Sequence, residues 1–143
     1  MSTIAAIADA VAAHINAGTF SQPVSAERMY QPAFTLEDLA DLRVSVVPRT
    51  VGIAAATRDS SVFECVVDVG VQKKLPAEGA DTEIDALLDL VEEITDHLRL
   101  KRLPDALEAA WAGIAHEPVV SSESLEQHRV FTSVLGVTYR VRR

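Results

Sequence analysis

Four histidines, His14, His97, His116 and His128, are the side chains best placed by type to move protons or hold a metal near neutral pH. Their spacing supports neither role. None stands from another histidine, a cysteine or an acid at a metal-site interval such as His-Glu-x-x-His. His116 and Glu117 are neighbours, but adjacent residues of a strand point to opposite faces. His14 falls near the end of a helical segment, where the dipole favours positive charge, and reads as a surface or capping residue. No glycine-rich turn precedes a Lys-Ser or Lys-Thr pair, no Gly-x-Gly-x-x-Gly occurs, and no nucleophile elbow supports a Ser/His/Asp triad. Catalysis would need a site assembled from distant segments. Such an enzyme requires a pocket that gathers His97, His116 or His128 with acids such as Asp68 or Glu117. Otherwise no catalytic, cofactor-binding or metal-binding residue is assigned, and the chain is read as a non-enzyme.

The basic residues are the other group with functional meaning. Lys73 and Lys74 close one apolar segment, Arg99, Lys101 and Arg102 close a helical one, and Arg140, Arg142 and Arg143 close the chain. Two readings stay open. These are ordinary solvated charges that complement helix and strand ends, or some of them gather into an electropositive end. Such an end would suit an acidic partner surface, or DNA held through its phosphates without sequence reading. The chain as a whole is acidic, with 13 Lys and Arg against 21 Asp and Glu and a net charge of −8, which argues against a general nucleic-acid binder.

The element that positions most of the rest is a long strand from Val62 to Lys74. Phe63, Cys65, Val67, Val69 and Val71 alternate onto one face, and Glu64, Val66, Asp68 and Gln72 onto the other, with Gly70 leaving a gap. At about 3.3 Å per residue it reaches roughly 40 Å, long for a chain of this size, so part of it is expected to stand clear of its own domain. Cys65, the single cysteine, reads as a small buried hydrophobe of a reducing compartment. Arg43 to Thr57, kinked at Pro48, is expected to pair with this strand as a hairpin across the turn Arg58-Asp59-Ser60-Ser61.

Ile4, Ile7, Ala8, Val11, Ala12 and Ile15 recur at helical spacing after a Ser2 or Thr3 cap, and Gly18 supplies a stop. Ala26 to Tyr30 reads as a short strand. Thr35 and Asp38 cap a single helical turn within Thr35–Leu42. After a loop from Leu75 to Ala80, Asp81 or Thr82 caps a second helix whose apolar face is Ile84, Leu87, Leu88, Val91, Ile94 and Leu98. Its acids come early and its bases late, as the dipole favours, and Glu92, Glu93 and Asp96 form its solvated face. Asp105 to Ala110 is assigned to neither helix nor strand. Trp111 to Glu117 reads as a strand with Trp111, Gly113, Ala115 and Glu117 on one side. Pro118 and Ser121 to Ser124 open a loop, and Arg129 to Arg142 is the last strand.

The order is thus α, β, a β–β hairpin, α, β, β. That order predicts an α+β two-layer sandwich with a mainly antiparallel sheet and two helices packed on one face, within one domain spanning residues 1–143. Hydrophobic content of 48% supports a packed fold over disorder. No secretory signal is read at Met1-Ser2-Thr3-Ile4, and no run approaches the ~20 apolar residues that span a bilayer.

Four stretches resemble a known family. They are Asn16-Ala17-Gly18-Thr19-Phe20-Ser21, Val44-Ser45-Val46-Val47-Pro48, Asp68-Val69-Gly70-Val71-Gln72-Lys73-Lys74 and Phe131-Thr132-Ser133-Val134-Leu135. These resemble the tail terminator proteins of long-tailed bacteriophages, over about Ile4 to Val141, and the order of elements is similar. The resemblance implies a structural virion protein of the tail or neck, made in the host cytoplasm. It implies a homo-oligomeric, six-membered ring that caps the tail tube, ends its polymerisation and docks the head connector or stopper protein. DNA would pass through the lumen without sequence-specific binding. No cofactor, membrane or active-site residue is implied. Another head–tail connector or stopper protein, and a monomeric binding module with no viral role, are the alternatives.

Overall fold

The computed structural model describes residues 1–106 and 108–143. Alanine-rich helix α1 spans Thr3–Asn16, with the Ser2 hydroxyl accepting the Ala5 amide at 3.3 Å as its cap. Its stripe of Ile7, Ala8, Val11 and Ile15 is buried against the sheet. Gly18 does not end the helix through a left-handed conformation, as the sequence suggests; Ala17 caps it with right-handed backbone. The glycine is there for space. A Cβ at position 18 would lie 2.8 Å from Phe20 Cζ and 3.0 Å from the His97 ring.

Strand β1, Ala26–Arg28, runs parallel to the start of β2, Arg43–Ala55, with Ala26 beside Val44 and Arg28 beside Val46. Asn16 holds β1 in place, accepting the Ala26 amide at 2.7 Å and donating to its carbonyl at 3.0 Å. Between these strands Thr35 and Asp38 form the expected reciprocal cap, both bonds 3.1 Å, on the 3-10 turn Asp38–Ala40. Strand β3, Ser61–Lys74, pairs antiparallel with β2 from Ser61 to Gln72, and the register shifts once, between Pro48 and Thr50. That irregularity sits at the proline, which has no amide to give the ladder.

Helix α2, Ala80–Leu98, begins two or three residues earlier than a cap at Asp81 or Thr82 implies, so both residues lie within it. Gly79, with φ of 74°, precedes it, and no side chain caps it. Leu87, Leu90, Val91, Ile94 and Leu98 are its buried residues. Strand β4, Ala110–His116, lies at the far edge, and β5, Val130–Arg142, runs between β4 and β3. The order across the sheet is β1-β2-β3-β5-β4, with every pairing antiparallel except β1 with β2.

The fold is α+β, a helical layer on one face of a mostly antiparallel five-stranded sheet. Alternation places Val44 and Val46 of β2, Cys65, Val67, Val69 and Val71 of β3, and Leu135, Val137 and Tyr139 of β5 under the helices. Three expectations change. Ser121 to Ser124 does not stay a loop: Ser122–His128 forms a short helix, α3, capped by the Ser121 hydroxyl on the Ser124 amide and ending at left-handed Arg129. In β4 the register shifts between Trp111 and Gly113, which moves Trp111 onto the face of Ile114 and His116, not that of Gly113 and Ala115. The strand also ends at His116, so Glu117 belongs to the connection. The stretch Asp105–Ala110, left unassigned from sequence, holds a turn closed by a Leu103–Ala106 bridge; Leu107 within it lies outside the described residues.

No helix is long and apolar enough to cross a membrane among the described residues.

Candidate functional site

The pocket that the enzyme reading requires is not assembled. Asp68 and Glu117 do line one open depression, with Arg49, Pro118, Val134 and Gly136, on the sheet face away from the helices. Arg49 Nη1 is 3.7 Å from Asp68 Oδ1 there, and partial burial still holds the Asp68 carboxyl above the ordinary carboxylate range. No histidine joins them. His116 points to the opposite face, where its Nε2 meets the Ser133 hydroxyl at 2.6 Å. That Ser–His contact has a nucleophile's partners but no access, since Ser133 is completely buried. It satisfies a polar group within the core. His128 ends α3, and His97 lies at the end of α2. Among the described residues no three His, Cys, Asp or Glu side chains are grouped to hold a metal.

His97 instead belongs to a clasp between helices that the sequence did not disclose. Its ring stacks on that of His14 with centroids 4.2 Å apart. His97 Nε2 donates to the His14 carbonyl at 2.7 Å, and His14 Nε2 to the His97 carbonyl at 3.2 Å. Each histidine thus caps the C-terminus of the other's helix, which helix ends need. The expected capping role of His14 is met, but on α2. Burial first, and then His97 and Lys101, hold the His14 ring below its ordinary pKa, while its bond to His97 opposes them.

The eight basic residues do not share one end of the molecule. Lys73 and Lys74 pair with Phe131 and Val130, at the start of β5, whereas Arg142 pairs with Val62 at its other end. Of the two readings left open, a single electropositive end is therefore not met, because neighbouring antiparallel strands finish at opposite ends of a sheet. Arg99, Lys101 and Arg102 follow α2, with Lys101 beside the histidine clasp and Thr19. Several of these charges are already matched. Lys73 Nζ is 2.6 Å from Glu83, Arg99 Nε 2.8 Å from Asp96, and Arg140 Nε 3.3 Å from Glu64. Arg142 donates to the Ser60 hydroxyl, and Arg143 donates to Thr3 and lies over the Phe63 ring. Lys74 is exposed.

The least satisfied region is the outer half of the hairpin. From Arg49 to Ala55 every residue of β2 is exposed, while Val44, Ser45 and Val46 at its inner half are buried. Val51 lies opposite Cys65 and Ile53 opposite Phe63, so both face the helical side of the sheet. Yet Val51 is 41% and Ile53 63% exposed. The helices end before they cover β2 this far out; the bare stretch expected within Val62–Lys74 falls instead on its hairpin partner β2, while Val62 and Phe63 of β3 stay half-buried. β1 flanks β2 only from Val44 to Val46, so the backbone edge beyond Thr50 has no neighbouring strand among the described residues.

No family model matches the sequence, and the comparison with curated proteins returns no match.

Proposed function

We propose that the chain is a structural assembly protein whose copies form a closed ring, and that this ring caps the tail tube of a long-tailed bacteriophage, ends tube polymerisation and joins the tail to the head connector. The observation that carries the assembly part is the bare outer half of the hairpin. A free strand edge with exposed Val51 and Ile53 is an association surface that a monomer has reason to avoid. The virion part rests on the resemblance of the four sequence stretches to tail terminators. The net charge of −8 suits a component that must stay dispersed before it assembles.

The test is the mass of the purified chain by light scattering, alone and then with purified tail tubes, followed by electron microscopy of the tube ends. A closed ring, or density added at one end of the tube, is the expected result. A chain that stays monomeric and ignores tubes would overturn the reading and favour a binding module with no viral role.

A further inference from the structure

We propose that copies join head to tail through the two bare edges of the sheet, the outer half of β2 in one copy pairing antiparallel with β4 of the next. Among the described residues two such edges lie on opposite sides of the sheet, the outer side of the short β1 apart. One is Thr50–Ala55; the other is β4, Ala110–His116, which pairs only with β5 among the described residues. Both edges consist of uncharged residues without proline, apart from His116, so both lack the charge and proline devices against strand addition, although each carries one register irregularity, beside Thr50 and between Trp111 and Gly113. Natural edges carry lysine, proline or inward charge when they are meant to stay alone.

Direction agrees. Three antiparallel steps separate β2 from β4 in the sheet, so the two strands run oppositely. Continuing the sheet from one copy to the next, with its face kept to the same side, sets them antiparallel. Side chains agree as well. Val51 and Ile53 are on the helical side of β2, and the partly buried Trp111 and Ile114 are on the helical side of β4. Joining the edges brings these two apolar pairs onto one surface. Charges agree at both ends of the joint. Arg49 and Arg58 flank the β2 edge, Glu108 and Glu117 flank β4, and the two pairs have the same separation in sequence. An antiparallel alignment draws Arg49 toward Glu117 and Arg58 toward Glu108 of the next copy.

Across the sheet His116 is level with Val46, so β4 must slide by a few residues to lie along Thr50–Ala55. Strands tilted to the axis of a closed sheet have this kind of stagger. Because the two edges differ, the joint is heterologous, the kind that generates rings when its rotation closes. Closure of the ring rests on the function proposed above; the joint itself does not.

The test uses two exposed positions. Ile53→Lys places a charge on the β2 edge, and Ala115→Lys places one on β4. The wild-type chain is followed by sedimentation over a concentration series and by microscopy on tail tubes, and thermal unfolding checks that both variants fold. The expected result is loss of self-association, or of density at tube ends, for each variant alone. An equal mixture of the two should form dimers and nothing larger, since one free edge of each kind remains. Assembly of Ile53→Lys as in the wild type overturns the joint. So does dimerisation of Ala115→Lys alone, which would mean β2 pairs with its own copy, and so does a wild type that stays monomeric both alone and on tubes. Rings that persist in both variants remove the edge pairing but leave the ring reading standing. The complementation pattern without any ring in the wild type keeps the edge pairing and removes the ring.

Discussion

Replacing Val67 with aspartate tests the face assignment on which the fold depends. Val67 is completely buried at the centre of β3, between Pro48 on β2 and Val137 on β5. The loss has two parts. Truncating the valine side chain removes two buried carbons, which at about 0.8 kcal/mol each plus a cavity contribution is about 2 kcal/mol. A carboxyl in that position must also be neutral, because it is fully buried and its cross-strand neighbours among the described residues, Pro48 and Val137, carry no charge. Taking up its proton at about pH 7, instead of near its ordinary value of about 3.9, costs about 4 kcal/mol. The sum, about 6 kcal/mol, is comparable to the whole stability of many domains, about 5–15 kcal/mol.

The sign of the pH dependence is fixed. The introduced carboxyl has a raised pKa in the folded state, so the folded variant binds a proton that the unfolded chain does not. Its disadvantage therefore shrinks as pH falls, by about 2.7 kcal/mol from about pH 7 to about pH 5. Urea unfolding of the wild type, Val67→Ala and Val67→Asp at both pH values measures each part. Val66→Asp is the control, since Val66 is only half-buried and faces away from the helices. It should lose less than about 2 kcal/mol. Equal losses at positions 66 and 67, or a Val67→Asp deficit that does not change with pH, would refute the alternation of β3.

Four further outcomes are expected. Gly18→Ala pushes a methyl into Phe20 and His97, and should lower stability by about 1–3 kcal/mol, read as a lower melting temperature. Ser133→Ala leaves the His116 ring without its partner within the core, a loss of about 1–3 kcal/mol by urea unfolding. Burial holds both His14 and His116 below 6.5, so the unfolded chain protonates first. Their contribution is full above 6.5 and diminishes as pH falls through it, which unfolding midpoints taken above and below that value will measure. Arg140→Glu combined with Arg142→Glu should leave the melting temperature nearly unchanged, because both side chains are at the surface, while impairing assembly or capping of tail tubes.

The parts of the fold that were legible are those where one rule applies over many residues. The alternation of β3, interrupted only by Val66 and Gly70, allows one register only, since a slip by one would expose Cys65, Val67, Val69 and Val71 together. The apolar stripes of α1 and α2 are similarly redundant. Where few side chains vote, the reading failed. Helix α3 has seven residues, none of them fully buried, and Leu125 is its packed side chain. Its one usable signal was Ser121 standing three residues before Ser124, a cap spacing hidden in a run that reads as a polar loop. The shift in β4 falls at Ala112-Gly113, where small residues give no preference for either face. The histidine clasp joins positions 83 apart, and nothing local to His14 or His97 announces it. The divided basic residues are a different case, since one of the two readings left open, charges matched locally, fits their pairs. Once β3 and β5 are taken as antiparallel neighbours, Lys74 and Arg142 must lie at opposite ends, so the sequence already argued against a single basic end.

The free edge was legible for a reason of length. A helix advances about 1.5 Å per residue and a strand about 3.3 Å. The 14 residues of α1 thus cover about 21 Å and the 19 of α2 about 29 Å, while the 14 of β3 extend about 46 Å. Neither helix alone can cover a hairpin of that length from end to end. Where the cover stops, a β-branched strand still shows apolar side chains on its inner face, as Val51 and Ile53 do. A chain that lived only as a monomer gains nothing from extending the strands beyond its helices, and polar residues there would remove the exposure without disturbing the core. Their absence along Val51-Gly52-Ile53-Ala54-Ala55-Ala56 is therefore the physical argument that something covers this edge, and β4 of another copy fits its direction, its apolar side and its flanking charges.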